Sequence, residues 1–264
     1  MTLTWKALAF FKRDLTNDLS YKFSFAFQMA DILVGVGCFY FLARVLGEAA
    51  FRKYGPFPFI LIGIAVNGYM TTYLICFAQT IRGNQPLGTL KMVLVTPTSP
   101  VAFILYSSLY PAVRAALDIT LYLLLGAIIG LSLVHANVPA MLVLFLLSVG
   151  AFGSIGILSA SFTLIFKKGD PLLWLFTGLS GLLGGAYYPI EVLPRLLRYA
   201  AQLLPITHVL IGMRAALLGG VSIAQLLPQI GTLGLFDLVG LPLSLFAFSR
   251  GVRWVRAAGT TSHF

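Results

Sequence analysis

Charge is scarce in this sequence. Of its 264 residues only 10% are Asp, Glu, Lys or Arg, and acids are the rarer sign, eight against eighteen bases. A soluble globular domain carries about a quarter charged residues, so water is the wrong solvent for most of this surface. That excludes a soluble enzyme and a disordered tail. The two cysteines, Cys38 and Cys76, lie inside apolar stretches without ligand-like spacing, which excludes a disulfide scaffold and reads as packing. The three histidines, 135, 208 and 263, are far apart, and neither His-Glu-x-x-His nor Gly-x-Ser-x-Gly occurs. No catalytic residue and no metal ligand is therefore assigned. What is abundant is hydrocarbon: 59% of residues are apolar and the mean hydropathy is +0.93.

The apolar stretches are long and continuous, unlike the ~10-residue alternating segments of a membrane barrel. Unpaired backbone groups cannot face lipid, so such stretches read as spanning helices. The expected fold is all-α and integral to a membrane, one transmembrane domain over residues 1–264. Six segments reach the ~20 residues that a bilayer core needs: roughly Phe23–Val45, Phe57–Phe77, Val101–Val134, Val138–Phe166, Pro171–Tyr188 and Leu226–Phe248. Ser99-Pro100 and Asp170-Pro171 each place a capping oxygen before a proline at the first helical position. The first apolar stretch is longer than the core of a cleavable leader and reads as a retained span.

Two regions are not spans. In residues 1–20, Trp5, Leu8, Phe11 and Leu15 recur at helical spacing while Lys6, Arg13 and Asn17 fall on another face. That pattern reads as an amphipathic helix in the headgroup layer, the alternative being a lead-in to the first span. Residues 189–227 are too long for a structureless loop and too apolar to lie in water, and prolines at 189, 194 and 205 divide them. They read as a re-entrant helical hairpin between spans five and six, packed on protein.

The net charge of +10 falls mostly between apolar stretches, which encodes topology rather than nucleic-acid binding. With six spans both termini share a side. That side holds Lys6, Lys12, Arg13, Lys22, Arg82, Lys91, Lys167, Lys168, Arg250, Arg253 and Arg256, against Arg44, Arg52, Lys53, Arg195 and Arg198 on the other. The imbalance places both termini in the cytoplasm.

Two motifs mislead. Gly83-Asn84-Gln85-Pro86-Leu87-Gly88-Thr89 imitates a phosphate-binding loop, but no lysine follows Gly88, and Pro86 lacks an amide donor. Glu48-Ala49-Ala50 with Gly55 echoes the cytoplasmic loop of ABC importer permeases. There the glycine sits one position late, and the charge pattern puts the loop outside.

A more specific run is Leu179-Ser180-Gly181-Leu182-Leu183-Gly184-Gly185-Ala186-Tyr187-Tyr188-Pro189-Ile190-Glu191-Val192-Leu193-Pro194, followed by Leu204-Pro205-Ile206-Thr207-His208 and Met213-Arg214-Ala215-Ala216-Leu217-Leu218. It resembles the hallmark of ABC exporter permeases of the second type: Ser-Gly, aromatic-Pro-x-Glu-x-Leu-Pro, Leu-Pro-x-Thr, then Arg before a pair of leucines. Gly88-Thr89-Leu90-Lys91-Met92-Val93-Leu94-Val95-Thr96-Pro97 is similar to that family's segment between spans two and three, with Pro86 and Lys91 where relatives carry acids.

The resemblance implies the permease subunit of an ATP-driven exporter in a bacterial-type inner membrane, moving a lipid, glycolipid, polysaccharide or drug outward. It implies two ABC ATPase subunits that bind ATP and Mg, no cofactor in this chain, and a second permease copy forming a homodimer among membrane lipids. Residues 82–98 become the coupling segment, with Arg82, Gly88, Thr89, Leu90, Lys91, Thr96 and Pro97 toward the ATPase. Trp5, Leu8, Phe11 and Arg13 become the interface helix that braces it.

Intramembrane charge defaults to function. Arg114 and Asp118 are four apart on one helix face, as an ion pair that glues helices or as part of the cavity. Small residues let helices approach closely, and Gly181, Gly184 and Gly185 are the candidate contact between protomers. Tyr187, Tyr188, Pro189 and Glu191 fall at the outer boundary, as interface anchors or as an exit gate. The rival classes are an ion-coupled secondary transporter, which would want inverted repeats and clustered midplane acids, and a lipid-modifying membrane enzyme, which would want acids and histidines gathered at one face.

Overall fold

The computed structural model describes residues 3–20, 22–46, 51, 54–84, 99–166 and 170–257. These form helices and turns, with no strand among the described residues. In chain order the helices are α1 (Leu3–Ser20), α2 (Lys22–Leu46), α3 (Pro56–Asn84), α4 (Pro100–Ser107), α5 (Leu109–Ile129), α6 (Val138–Phe166), α7 (Pro171–Leu183), α8 (Arg195–Gln202), α9 (Pro205–Gly219) and α10 (Leu227–Ala257).

Five stretches are long and apolar enough to cross a membrane: Ala26–Val45, Pro56–Gly83, Pro100–Ile129, Val138–Phe166 and Ile223–Val255. The pair α8 and α9, bent by 86°, is either a sixth, broken span or a re-entrant loop of the kind expected over residues 189–227. The protein is an all-α integral membrane protein.

The expected caps form. Ser99 Oγ accepts from the Ala102 amide at 3.1 Å and Asp170 Oδ1 from the Leu173 amide at 3.0 Å, each ahead of a proline. Two boundaries differ from the sequence expectation. The third apolar stretch is not one continuous helix but breaks at Ser108, because Pro111 has no amide to return to the Ser107 carbonyl. The Ser108 hydroxyl bonds the Leu105 carbonyl instead, at 2.9 Å. The fifth stretch was expected to run to Tyr188, but α7 ends at Leu183 after 13 residues. At 1.5 Å per residue that is roughly 20 Å, short of a bilayer core. Gly185 takes φ +78°, a left-handed conformation that no helix continues.

The core is built on α3 and α6. In the most apolar window of α3, 61% of residues are buried, against 17% in α2 and 11% in α10, so the latter two form the lipid-facing rim. Tyr69, Tyr73 and Phe77 stand at i, i+4 and i+8 on α3 and meet α6, with Tyr69 5.4 Å from the Phe152 ring and its hydroxyl 3.2 Å from Ser148 Oγ. Small residues on α6 admit large neighbours: Gly156 faces Phe77, and Gly150 faces the Asp237 carboxyl of α10. Such close approach replaces the hydrophobic drive that lipid removes.

The helix ends gather into two clusters. At one end the Asn137 amide donates to the Ala216 carbonyl at 2.9 Å, and Tyr54 lies beside Gly219. At the other, Phe10 of α1 meets Phe103 and Tyr106 of α4, and Phe11 meets Tyr110 of α5.

Candidate functional site

At the α1 end, polar side chains from three helices interlock. The Asp18 carboxylate of α1 pairs with the Arg114 guanidinium and accepts from the Tyr110 hydroxyl, both on α5. Arg114 Nη1 also donates to Tyr110 Oη at 3.2 Å, and its Nη2 to Gln28 Oε1 of α2. The Gln28 amide nitrogen then donates to both Asp118 oxygens at 2.9 Å. The four-residue spacing of Arg114 and Asp118 does bring them to one place, but Gln28 bridges them and the ion pair is drawn to Asp18. Sequence reasoning missed Asp18, Gln28 and Tyr110. A glutamine in an apolar span was the available signal, since an amide there needs a partner.

The α1 residues divide. Phe11 turns onto Tyr110, whereas Trp5 and Leu8 stay exposed, as a helix between lipid and protein requires. Arg13 pairs with Asp14 at 2.7 Å and lies over the Phe10 ring. Between α1 and the last turns of α3 is a cavity of about 440 Å³, bounded by Asp14, Asn17, Gln79 and Thr80 among others. Arg82 is exposed in the final turn of α3. Gly88, Thr89, Leu90, Lys91, Thr96 and Pro97 lie outside the described residues.

At the opposite end the organising residue is Arg214 of α9, only 4% exposed. Its Nε and Nη2 donate to the Phe59 carbonyl at 3.2 and 3.0 Å, Nη2 also to Ala186 at 3.0 Å, and Nη1 to Gly185 at 2.8 Å. The guanidinium carbon sits 3.4 Å from the centre of the Phe59 ring. One side chain thus ties α9 to the first turn of α3 and to the turn after α7. Beside it is a cavity of about 350 Å³ walled by Phe51, Tyr54 and Phe59 and bounded by Pro189, Glu191 and Arg214. The sequence analysis named Arg214 only within the motif that resembles the exporter permeases; a cation in an apolar helix was the available signal, and its carbonyl partners were not readable.

The four boundary residues separate. Pro189 and Glu191 line this cavity. Tyr187 stacks on Phe39 of α2 with centroids 6.1 Å apart, and the Tyr188 hydroxyl folds back onto the Leu182 carbonyl. The three glycines also divide. Gly184 and Gly185 are buried against Ile206 and Ile190 within the chain, which removes them from a surface stripe, while Gly181 has open space before it.

Among the described residues no three His, Cys, Asp or Glu side chains gather in a metal-binding group. No match to an individual curated protein was found. A model of the ABC-2 type transporter family matches residues 2–218, from the surface helix through the buried Arg214 and the end of its helix. With that match laid over a bundle of apolar helices, the chain belongs to the ABC-2 type transporter family and is a multi-pass membrane component of an ABC transporter.

Proposed function

We propose that this chain is the permease subunit of an exporter in a bacterial-type inner membrane, with both termini in the cytoplasm. Two such chains form the conduit, and two ABC ATPase subunits, which bind ATP and Mg, drive it. The cargo is hydrophobic or amphiphilic: a lipid, a glycolipid or polysaccharide, or a drug. The Phe- and Leu-rich spans, with few polar groups, support a cargo of that class.

The observation that carries the reading is the polar network joining α1 to α2 and α5. Residues 82–98 connect α3 to α4, and α1 packs on α4 at that same end. Closure of the ATPase pair pushes this end. Because α1 is ion-paired to α5 and bridged to α2, a push on α1 moves two helices together rather than bending one. Gly181, on the exposed side of α7, faces the second copy.

The test is reconstitution of the full chain with its ATPase partner. Gly88→Glu and Thr89→Arg insert and purify normally but lose permease-stimulated ATP hydrolysis and transport together. Undiminished stimulation in both variants rules out coupling through residues 82–98.

A further inference from the structure

The cavity beside Arg214 carries two opposite charges, Arg214 and Glu191, that face the same space without forming an ion pair among the described residues. Arg214 directs four of its five N–H bonds to backbone carbonyls, and no carboxylate among the described residues pairs with it. The remaining hydrogen is on Nη1. Its neighbour Gly185 lines the cavity, whereas Nη2 faces Gly63, which does not. Glu191 lines the same space and has no ion-pair partner among the described residues either. The adjacent Arg198 is engaged with the Glu191 and Leu193 carbonyls rather than with the carboxylate. Arg214 is buried and Glu191 exposed, so the cation is deep and the acid is at the mouth.

A buried cation whose acid stands off across a cavity is stabilised further by an anion placed against it. The complementary ligand has an anionic group that reaches inward and a cationic group that stays at the rim. The cavity volume, about 350 Å³, falls within the range of small-molecule pockets, roughly 300–1,000 Å³. Its wall includes Tyr54 and Phe59, just before and within the first turn of the spanning helix α3, which is the depth of lipid headgroups. Aromatic walls at that depth suit the glycerol and upper acyl carbons.

We infer that this cavity binds the headgroup of a zwitterionic aminophospholipid, phosphate toward Arg214 and ammonium toward Glu191. The inference needs only that the chain is embedded in a membrane. It stands or falls apart from the direction of transport and from the ATPase.

The experiment is native mass spectrometry of the full chain in detergent, offered phosphatidylethanolamine and phosphatidylglycerol with identical acyl chains. The expected result is one retained lipid per chain, with phosphatidylethanolamine preferred roughly fivefold, the effect of a single partly exposed ion pair. Glu191→Gln abolishes the preference without abolishing binding. Ile211→Trp, at the mouth, displaces the lipid while the thermal melt stays at the wild-type position. Arg214 is not substituted here, because it also holds three backbone segments. Equal retention of the two lipids by the wild type, an unchanged preference in Glu191→Gln, or undiminished lipid in a folded Ile211→Trp would each overturn the assignment.

Discussion

Arg114 in α5 forms its ion pair with Asp18, a residue 96 positions earlier in the surface helix, although Asp118 lies one turn away on its own helix. Gln28 fills the gap, accepting from Arg114 and donating to Asp118. The chain therefore runs from Asp18 to Arg114 by charge and from Arg114 through the Gln28 amide to Asp118, and each helix in it is held by a group on another.

Asp18→Asn removes the charge while keeping a hydrogen-bond acceptor. The pair is partly buried, with side chains 15% and 26% exposed, so the loss falls between surface and buried cases, about 1–3 kcal/mol. The expected phenotype is a lower thermal midpoint in detergent and a fall in transport per ATP hydrolysed. A double-mutant cycle with Arg114→Gln checks it: a coupling energy near zero means that α1 is not held by this pair.

Gly150 predicts a second coupling. A Cβ at that position would stand 2.6 Å from Asp237 Oδ1, which is itself buried without a hydrogen-bond partner among the described residues. Gly150→Ala pushes the Asp237 carboxyl, the movable end of its side chain, out of its place and is expected to cost about 1 kcal/mol, the low end of overpacking. Asp237→Ala makes room and also removes an unsatisfied oxygen, so the double variant recovers most of the loss. Equal melting of Gly150→Ala and the double variant would show that the carboxyl is not what occupies the space.

Local signals were legible and long-range partnerships were not. Ser99 and Asp170 announced their helices because a cap needs only the next three residues. The spans α2, α3, α6 and α10 followed from length and hydropathy alone. The early end of α7 was hidden because Gly184-Gly185 reads equally well as a packing stripe and as a stop, and burial against Ile206 and Ile190 decides between them. The Arg214 site was hidden for a different reason. Its acceptors are the carbonyls of Phe59, Gly185 and Ala186, and every residue has a carbonyl, so no side-chain pattern points to them.

Arg214 is correspondingly hard to replace. Arg214→Met leaves the Phe59, Gly185 and Ala186 carbonyls without their donor in a buried place, at about 1–3 kcal/mol each before relaxation. Arg214→Lys keeps the charge but cannot fork to three acceptors in a plane. The expected order of thermal midpoints is wild type, then lysine, then methionine, with a total loss of roughly 3 kcal/mol or more for the last. Lysine matching the wild type would mean that charge, not the planar fork, holds the turn to α3.

Topology supplies the last prediction, because the coupling role of residues 82–98 requires them to face the ATPase. On a background in which Cys38 and Cys76 are replaced by serine, Lys91→Cys is expected to react with an impermeant maleimide only in inverted vesicles. His135→Cys, exposed at the opposite end of the bundle, is expected to react only from the outside of intact cells. The basic residues flanking the spans favour this orientation, although Arg52 and Lys53 stand on the minority side. Reversing the charge at those two positions should therefore strengthen the same pattern. Labelling of Lys91→Cys from outside would place the coupling segment away from any cytoplasmic ATPase, and the polar network of Asp18, Arg114 and Gln28 would then serve packing alone.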